Sequence, residues 1–453
     1  LAWELGDGLG HVTRLLKIAK ALRCHGHDCI IVARDIETAG IIAQKAGFDT
    51  IAAPPMSIQL AAAKGRDPAS ASDILAFIGF TEPHRLAPMV RAWDALIRRL
   101  DPDLVILDYA PTVRLAIGQS RPVIVVGDGF TIPPSLHGEC PKFRQTPKLI
   151  DEDDVLSTIQ SVQSEYGGWC PQQLPELFAG HRTFIITLPM LDCFGDIRND
   201  AAVGPLVAVP KLIDGTPKFD YFAYLSMTAL GIENLLNALV NSDLQGSLFL
   251  RDSTPKQRDR LRALNLTVHE RPQDMAEMAS ISRIIIHHGG VGTCEVLLGM
   301  GRPQLIVPRH VEQRLNARVL VKKGIAKSID RLVEIKTKEI ALRATSSILS
   351  DLSSVMGAQT SEAKAMGIAA ATIDTYIGMN KALKDETIPN TFARIAAMVT
   401  VGINGFKQVK QIASVKIPNE KGGVGAAGGG GDVTVTQPPQ FNIVGASDTN
   451  QLA

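Results

Sequence analysis

Residues 283–316, RIIIHHGGVGTCEVLLGMGRPQLIVPRHVEQRLN, form the stretch that decides the fold. The run 283–287 contains three consecutive isoleucines, and a short apolar run that ends in glycines is typical of a buried strand. Thr293, just past the glycines, is predicted to cap a helix, and a second apolar run at 304–307 predicts the next strand. The stretch therefore predicts a strand, a glycine turn, a helix and a second strand.

The glycine turn is suited to an anion. Glycines let backbone N–H groups approach a ligand, and a helix N-terminus presents unpaired donors with partial positive charge, so a phosphate is the predicted ligand. His288 is placed to add a charge-assisted hydrogen bond, and Glu312 and Gln313 follow the next strand, at the edge where open α/β sheets bind ligands. The alternative is an ordinary strand-to-helix connection that contains glycines and a histidine and binds nothing.

This order of residues resembles a known signature: His288-Gly289-Gly290-Val291-Gly292-Thr293, then Pro308, Glu312-Gln313 and Asn316. The signature is the donor-binding motif of GT-B-type glycosyltransferases of the UDP-glucuronosyltransferase and macrolide glycosyltransferase group. The resemblance implies that the donor diphosphate is held by His288, Gly289, Gly290, Gly292 and Thr293. It also implies that Glu312 and Gln313 meet the sugar hydroxyls. Pro272-Gln273 matches the start of the signature, so Gln273 is a further predicted donor-binding residue.

Two positions depart from the family pattern. The family often has a glutamate for the ribose hydroxyls where this chain has Val296, and Glu295 stands one residue early, which is about 100° around a helix. Plant members stack a tryptophan on the base where this chain has Glu270. The resemblance therefore leaves open whether the donor is UDP-linked or dTDP-linked. It implies a nucleotide-sugar co-substrate and no other cofactor.

Composition limits the classes of protein to consider. The chain has 453 residues and 45% hydrophobic content, which is enough for two or three domains with real cores. The formal charge of +1 provides no field that would attract nucleic acid or an anionic membrane. No apolar run approaches the ~18 residues of a membrane span and no signal-peptide pattern is present, so the expected location is cytoplasmic.

No metal site is predicted. Asp101-Pro102-Asp103 precedes a strand and is better explained as a helix stop and turn, and the acidic run 151–154 is typical of a solvated helix start. The six cysteines show no C-x-x-C spacing, which favours reduced, buried thiols: Cys24, Cys29, Cys140, Cys170, Cys193 and Cys294.

The N-terminal part alternates strand and helix. A strand at 1–5, a turn at 6–11, a helix at 12–22 and a strand at 29–32 are the pattern of a doubly wound parallel sheet. A dinucleotide fingerprint would need its third glycine where His11 stands, so that class is excluded. Gly8-Leu9-Gly10-His11 instead resembles the glycine-histidine motif of the same glycosyltransferases, which implies that His11 is the catalytic base.

An acid is predicted beside His11. The apolar run 104–108 ends in Asp108, so both side chains fall on the carboxyl-end rim of a parallel sheet. The resemblance implies that Asp108 bonds the catalytic histidine, and a carboxylate on one imidazole nitrogen fixes the tautomer and stabilises the imidazolium. Asp128, after the next strand, is predicted to approach the ligand. The alternatives are a helix-start histidine without chemistry and a cap or loop acid.

The sequence predicts four segments. Two Rossmann-like domains, 1–195 for the acceptor and 196–335 for the donor, face a cleft, and a helical extension at 336–420 and a flexible Gly/Pro/Gln-rich tail at 421–453 follow. Residues 350–453 resemble phage tail tape-measure-like proteins, which implies either a fusion of two genes or an oligomerisation module for self-association.

The predicted protein is an inverting, metal-independent GT-B glycosyltransferase of the hexosyltransferase class. Its expected partners are a nucleotide sugar and a small-molecule or lipid acceptor, without nucleic acid. Two alternatives stay open at this point: a sugar-nucleotide epimerase with the same two domains, and a structural phage tail-type protein fused to a transferase-like domain.

Overall fold

A computed structural model describes residues 1–6, 9–55, 67–200, 202–206, 210, 217–229, 231–240, 242, 244–329 and 350. All of them belong to the same compact unit. Apart from residue 350, the predicted helical extension at 336–420, the glycine-rich tail and the segment that resembles tape-measure proteins lie outside the described residues.

The first sheet has six parallel strands in the order β3-β2-β1-β4-β5-β6. The strands are β1 Ala2–Trp3, β2 Ile30–Ala33, β3 Asp49–Ala52, β4 Val105–Asp108, β5 Val123–Gly127 and β6 Arg182–Ile185. The helices are α1 Gly10–Cys24, α2 Ile36–Lys45, α3 Ala71–Phe77, α4 Pro83–Leu100, α5 Pro111–Ile117 and α6 Glu152–Tyr166, with 3-10 helices at Leu174–Phe178 and Pro189–Leu191.

The second sheet repeats this arrangement in the order β12-β11-β10-β7-β8-β9, again all parallel. Its strands are β7 Phe219–Ser226, β8 Gly246–Arg251, β9 Thr267–His269, β10 Ser282–His287, β11 Gln304–Ile306 and β12 Ala326–Ser328. Its helices are α7 Ile232–Val240, α8 Pro255–Ala263, α9 Met275–Ile281, α10 Val291–Gly299 and α11 Val311–Lys322. The two Rossmann-like domains are confirmed; the boundary at 195/196, between β6 and β7, stays a prediction.

Each sheet has a point where its strand order reverses, between β1 and β4 in the first and between β7 and β10 in the second. Ligands of such sheets bind outside the carboxyl ends of the strands at this point. The chain leaves β1 toward His11 and β10 toward the glycine turn, and Asp108 is the last residue of β4. The fold therefore brings the predicted catalytic and donor-binding residues to the ligand-binding points of their sheets.

Strand β10 shows why the three isoleucines are needed. Ile284 and Ile286 pack in one core cluster and Ile285 packs in another, with exposed fractions of 0–1%. A parallel strand that is covered by helices on both faces buries every side chain, so its sequence is a continuous apolar run rather than an alternating one. None of the described helices is long and apolar enough to cross a membrane.

Gly246 provides a test of the second sheet. It pairs with Tyr221 in the β7–β8 register, and a Cβ at 246 would overlap the buried Tyr221 ring. Gly246→Ala is expected to lower the free energy of unfolding by about 1–3 kcal/mol because of overpacking. In helix α2, a Cβ at Gly40 would make only ordinary contacts of 3.5 Å with Ile36, so Gly40→Ala should raise stability by about 0.5–1 kcal/mol. Urea denaturation measures both, and equal effects of the two substitutions would contradict this packing.

Candidate active site

A cleft of about 1250 Å³ is lined by residues of both domains. From the first domain these include His11, Arg14, Lys17 and Asp128, and from the second Tyr224, Ser226, Arg251, His288, Gly290, Gly292, Thr293, Arg309, Glu312 and Gln313. The structure thus brings the predicted base and most of the predicted donor-binding residues to one cavity.

His11 lines this cleft, and its partner Asp108 is fully buried beside it. His11 Nδ1 is 2.9 Å from Asp108 Oδ1, and the carboxylate has no exposed surface. Because the partner is a carboxylate, Nδ1 carries the proton and donates it, which leaves Nε2 as the proton-accepting nitrogen. The imidazole stacks on Trp3 with ring centroids 5.3 Å apart and planes 17° from parallel. The ring is therefore held in orientation by one hydrogen bond and one aromatic face.

Gly6 lies directly against His11 Nε2. Its φ is +84°, and a Cβ at this position would overlap that nitrogen. A positive φ favours glycine in any case, but here the close approach also requires it. Only a residue without a side chain leaves Nε2 open to accept a proton.

Tyr109, directly after Asp108, has a left-handed backbone with φ of +50°. Such a conformation costs an aromatic residue about 1–3 kcal/mol and persists only where surrounding contacts determine it. Leu5 N–H donates to the Tyr109 carbonyl at 3.0 Å, and the Tyr109 ring lies near-parallel to His11 at 6.3 Å. The strained turn therefore fixes where β4 ends and the direction of Asp108.

Arg14 is a buried cation that sequence analysis missed. Its Nη1 donates to both oxygens of Asp108 at 3.0 and 2.9 Å, and its Nη2 donates to Asp128 Oδ2 at 3.2 Å. Burial alone would raise the pKa of Asp108, but the charges of Arg14 and His11 and their hydrogen bonds outweigh it, so the pKa is lowered. Asp108 is therefore a carboxylate with two donors. Among the described residues, no group of His, Cys, Asp and Glu side chains is arranged to hold a metal ion.

The glycine turn lines the same cleft from the second domain. Helix α10 begins at Val291 with Gly290 as its N-cap, so the prediction that Thr293 caps it was wrong. Gly290 has the extended backbone of a cap, with φ −61° and ψ 142°, which lets the helix start two residues before Thr293. No described side chain caps α10, so its first-turn N–H groups face the cleft without a capping oxygen.

His287 supports this turn, and sequence analysis missed it as well. Its Nδ1 accepts from Gly289 N–H at 3.0 Å, so its Nε2 carries the proton and lies 3.0 Å from Gln304 Oε1. Burial lowers the pKa of His287 to about 3. A Cβ at Gly289, whose φ is +87°, would stand 2.7 Å from Ile306 Cγ2, and Asn316 Nδ2 donates to the Gly289 carbonyl at 3.0 Å. The turn is therefore fixed from several sides.

His288 is already engaged on both nitrogens. Nδ1 donates to the Val307 carbonyl at 2.7 Å, and Nε2 accepts from Ser226 N–H at 2.8 Å. Burial lowers its pKa to about 4, so the ring is neutral at neutral pH. The expected charge-assisted bond from His288 to a phosphate is therefore not available in this geometry. The imidazole instead joins β7 to the end of β11.

The remaining predicted donor-binding residues differ in their placement. Glu312 lines the cleft, and burial together with the charge of Asp128 raises its pKa. Gln313 also lines the cleft, and its Oε1 accepts from Arg309 N–H at 2.8 Å. Gln273 is not among the residues that line the cleft, and its Nε2 donates to the Arg271 carbonyl at 2.8 Å. The structure does not bring Gln273 into the cleft.

Glu295 has a different partner from the family glutamate. Its Oε1 accepts from Thr187 Oγ1 and from Leu188 N–H, both at 3.0 Å, in the segment that leaves the first sheet. Glu295 and Val296 both line the cleft, but Val296 has no polar group for a ribose hydroxyl. The rotation of one residue around α10 thus directs the carboxylate to the segment between the sheets.

His287 makes the stability pH-dependent. Its pKa of about 3 in the folded chain lies below the ordinary histidine value of 6.5, so between these pH values the unfolded chain binds a proton at this ring and the folded chain does not. The contribution of the neutral His287 ring to the free energy of unfolding is complete above pH 6.5 and is lost as the pH falls toward 3. Between pH 7 and pH 5 the loss is up to about 2 kcal/mol. Urea denaturation at these two pH values should show this loss in the parent chain. In His287→Asn, which keeps an acceptor and cannot titrate, the loss of stability between pH 7 and pH 5 should be smaller by about 2 kcal/mol. The same loss in both chains would contradict the assignment of this pH dependence to His287.

The sequence of the second domain was compared with models of known protein families. Residues 251–351 match the family model of the glycosyltransferase family 28 C-terminal domain. No curated protein matches the chain.

Among solved structures, the glycosyltransferase VinC in complex with dTDP has 16% identity over 88% of this chain and 98% of its own, with a TM-score of 0.53. The calicheamicin glycosyltransferase CalG4 has 16% identity over 91% and 97%, with a TM-score of 0.53. The glycotransferase of kitacinnamycin has 15% identity over 89% and 97%, with a TM-score of 0.52. These likenesses show the fold, and the family match supports sugar transfer from a nucleotide donor. The chain thus has the fold of GT-B glycosyltransferases, and the predicted resemblance to them is confirmed.

Proposed function

We propose that the chain is an inverting glycosyltransferase that moves a sugar from a UDP-linked or dTDP-linked donor to an acceptor hydroxyl. One observation carries this proposal: a histidine with a buried carboxylate partner and an uncapped helix N-terminus line the same cleft from different domains. A proton acceptor on one wall and an anion site on the other are what a displacement at an anomeric carbon requires.

In this proposal His11 Nε2 removes the proton of the acceptor hydroxyl. The acceptor oxygen forms its bond to the anomeric carbon from the face opposite the diphosphate, while the bond from that carbon to the diphosphate oxygen breaks. Asp108 holds the Nδ1 proton and stabilises the imidazolium, and general-base catalysis of this kind contributes roughly 10²- to 10⁴-fold. A single displacement inverts the configuration at the anomeric carbon.

The N-terminus of α10 binds the departing diphosphate, where negative charge grows. Apart from its neighbours in the chain and the backbone of α10, a Cβ at Gly290 or Gly292 would meet no described atom within 4 Å, which leaves room there for a ligand. The N–H groups of Val291, Gly292 and Thr293 provide the donors, with the Thr293 hydroxyl beside them. His288 acts by holding β7 and β11 together around this turn rather than by contact with a phosphate.

Glu312 and Gln313 are the proposed partners of the sugar hydroxyls, since both line the cleft on the donor side. The proposal needs no metal or other cofactor. The acceptor is a small molecule or a lipid, and its identity is left open.

Calorimetric titration with UDP, dTDP, UDP-glucose and dTDP-glucose tests the proposal. We expect micromolar binding of at least one nucleoside diphosphate and release of that diphosphate from its sugar when alcohol acceptors are added. Absence of binding at millimolar ligand would contradict the proposal. Conversion of the donor sugar without any acceptor would instead indicate the epimerase.

Substitutions at the base separate chemistry from binding. His11→Ala is expected to lower kcat by roughly 10²- to 10⁴-fold and to leave the affinity for nucleoside diphosphate within about twofold, because the anion site is on the other domain. Gly6→Ala covers the same nitrogen with a methyl group and should have the same effect on kcat. Loss of nucleotide affinity in His11→Ala, in a chain with an unchanged unfolding transition, would remove His11 from the proposed role.

A charge at the glycine turn tests the anion site. Gly292→Asp should weaken binding of nucleoside diphosphate more than tenfold, since a carboxylate then faces the phosphates. The same carboxylate stabilises a helix first turn, so weaker binding would not be a sign of unfolding. Gly292→Ala is the matched control and should bind within a few-fold of the parent chain. Unchanged affinity in Gly292→Asp would place the diphosphate elsewhere.

A further inference from the structure

We propose that Arg14 is a positioning residue that shares the Asp108 carboxylate with His11 and so sets the pH range in which His11 works as a base. The proposal rests on the proposed function. It gives a role to a buried cation that contacts Asp108 and that the mechanism above does not use.

The geometry places Arg14 and His11 on one carboxylate. They stand three residues apart on α1, so both side chains leave the same face of the helix. Oδ1 of Asp108 accepts from His11 Nδ1 at 2.9 Å and from Arg14 Nη1 at 3.0 Å, while Oδ2 accepts from Arg14 alone at 2.9 Å. Arg14 therefore fixes the plane of the carboxylate and turns Oδ1 toward the imidazole.

The shared oxygen also links the charges. A buried carboxylate that faces an imidazole alone favours the imidazolium, and a protonated ring is no base. The guanidinium neutralises much of this carboxylate and adds its own positive charge close to the ring, and both effects oppose proton uptake by His11. Replacing Arg14 with a neutral residue should therefore move the acid limb of the rate profile to higher pH.

Arg14 stays charged in spite of its burial. Its exposed fraction is 8%, and burial by itself would lower the pKa of a guanidinium. The nearby carboxylates of Asp108, Asp128 and Glu312 outweigh burial and raise that pKa. Asp128 accepts from Nη2 and so holds the second amino group of the guanidinium, while Nη1 stays on Asp108.

Titratable and charged groups from several elements lie around Arg14 and its partners. They are His11 and Lys17 from α1, Asp108 at the end of β4 and Tyr109 after it, Asp128 after β5, Glu295 from α10 and Glu312 from α11. Only Arg14 contacts Asp108 with a fixed positive charge among the described residues. The substitution at position 14 is therefore the direct test.

Two substitutions separate the charge of Arg14 from its packing. Arg14→Gln keeps a hydrogen-bond donor but removes the charge, and Arg14→Lys keeps the charge but loses the planar fork. The rate to follow is release of UDP or dTDP from the sugar nucleotide that the parent chain turns over, measured as kcat/KM from pH 5 to pH 9. In Arg14→Gln we expect the acid limb of kcat/KM to move to higher pH by about one unit, so that kcat/KM at low pH falls about tenfold below that of the parent chain. The affinity for the nucleotide should be unchanged. In Arg14→Lys the limb should stay within a few tenths of a unit of the parent.

Arg23→Met is the matched control, because it removes an arginine from the last turn of the same helix. Arg23 donates to the carbonyls of Ala46 and Gly47 and touches no carboxylate of the site. Its acid limb should coincide with that of the parent chain. Should Arg14→Gln fail to fold, the double variant Arg14→Gln with Asp128→Asn also removes the Asp128 carboxylate, which would otherwise be buried without its cation. Its acid limb should also move to higher pH.

A folded Arg14→Gln chain whose acid limb coincides with that of the parent would overturn the proposal and leave Arg14 a structural residue. A measurement without turnover gives the same decision. The ring nitrogen resonances of ¹⁵N-labelled His11 should report proton uptake at a higher pH in Arg14→Gln than in the parent. Failure of the proposed function would appear differently, as a parent chain that neither binds nor turns over a sugar nucleotide.

Discussion

The carboxylate of Asp108 has no exposed surface at the end of β4, and two side chains of α1 hold it there. Its contact with His11 joins residues 97 positions apart, so it exists only when β1 and β4 are neighbours in the sheet. Burial would make this charge costly, and the hydrogen bonds from Arg14 and His11 compensate for that cost. The contacts of Asp108 therefore depend both on the order of the strands in the first sheet and on where helix α1 begins.

The proposed donor site at the start of α10 is arranged differently, because its first-turn N–H groups have no capping side chain among the described residues. Helix α10 has a glycine as its N-cap, so these N–H groups are open to a ligand in the proposed function. The turn holds its shape through contacts behind it, from His287, Ile306 and Asn316. A rigid support with an open front is what an oxyanion site needs, because donors that are already in place do not have to reorganise during the reaction.

Much of the fold could be predicted because long apolar runs and glycine turns define parallel strands with little ambiguity, as in β10. The prediction failed where a local preference competed with tertiary packing. Thr293 looked like a cap, but the extended backbone of Gly290 starts the helix earlier. Strand β3, Asp49–Ala52, is short and half polar, so its sequence carries no strand pattern and its pairing with β2 decides it.

The candidate site shows the same division. The resemblance to a known signature pointed to His11, Asp108 and the glycine turn, and the fold brings them to one cleft. Arg14 was missed because a single arginine on a helix is usually solvated, although its place three residues after His11, on the same side of α1, was a visible signal. His287 looked like the end of a strand, and His288 was expected to be a cation; only the positions of Ser226, Gln304 and Val307 show that both rings are neutral and engaged.

Both walls of the cleft are required to act on one molecule. A crystal structure with the nucleoside diphosphate and an unreactive sugar analogue bound would measure this directly. The account predicts phosphate oxygens within hydrogen-bond distance of the Val291–Thr293 amides and the anomeric carbon between them and His11 Nε2. Phosphates bound away from α10, or an anomeric carbon on the far side of the diphosphate from His11, would contradict it.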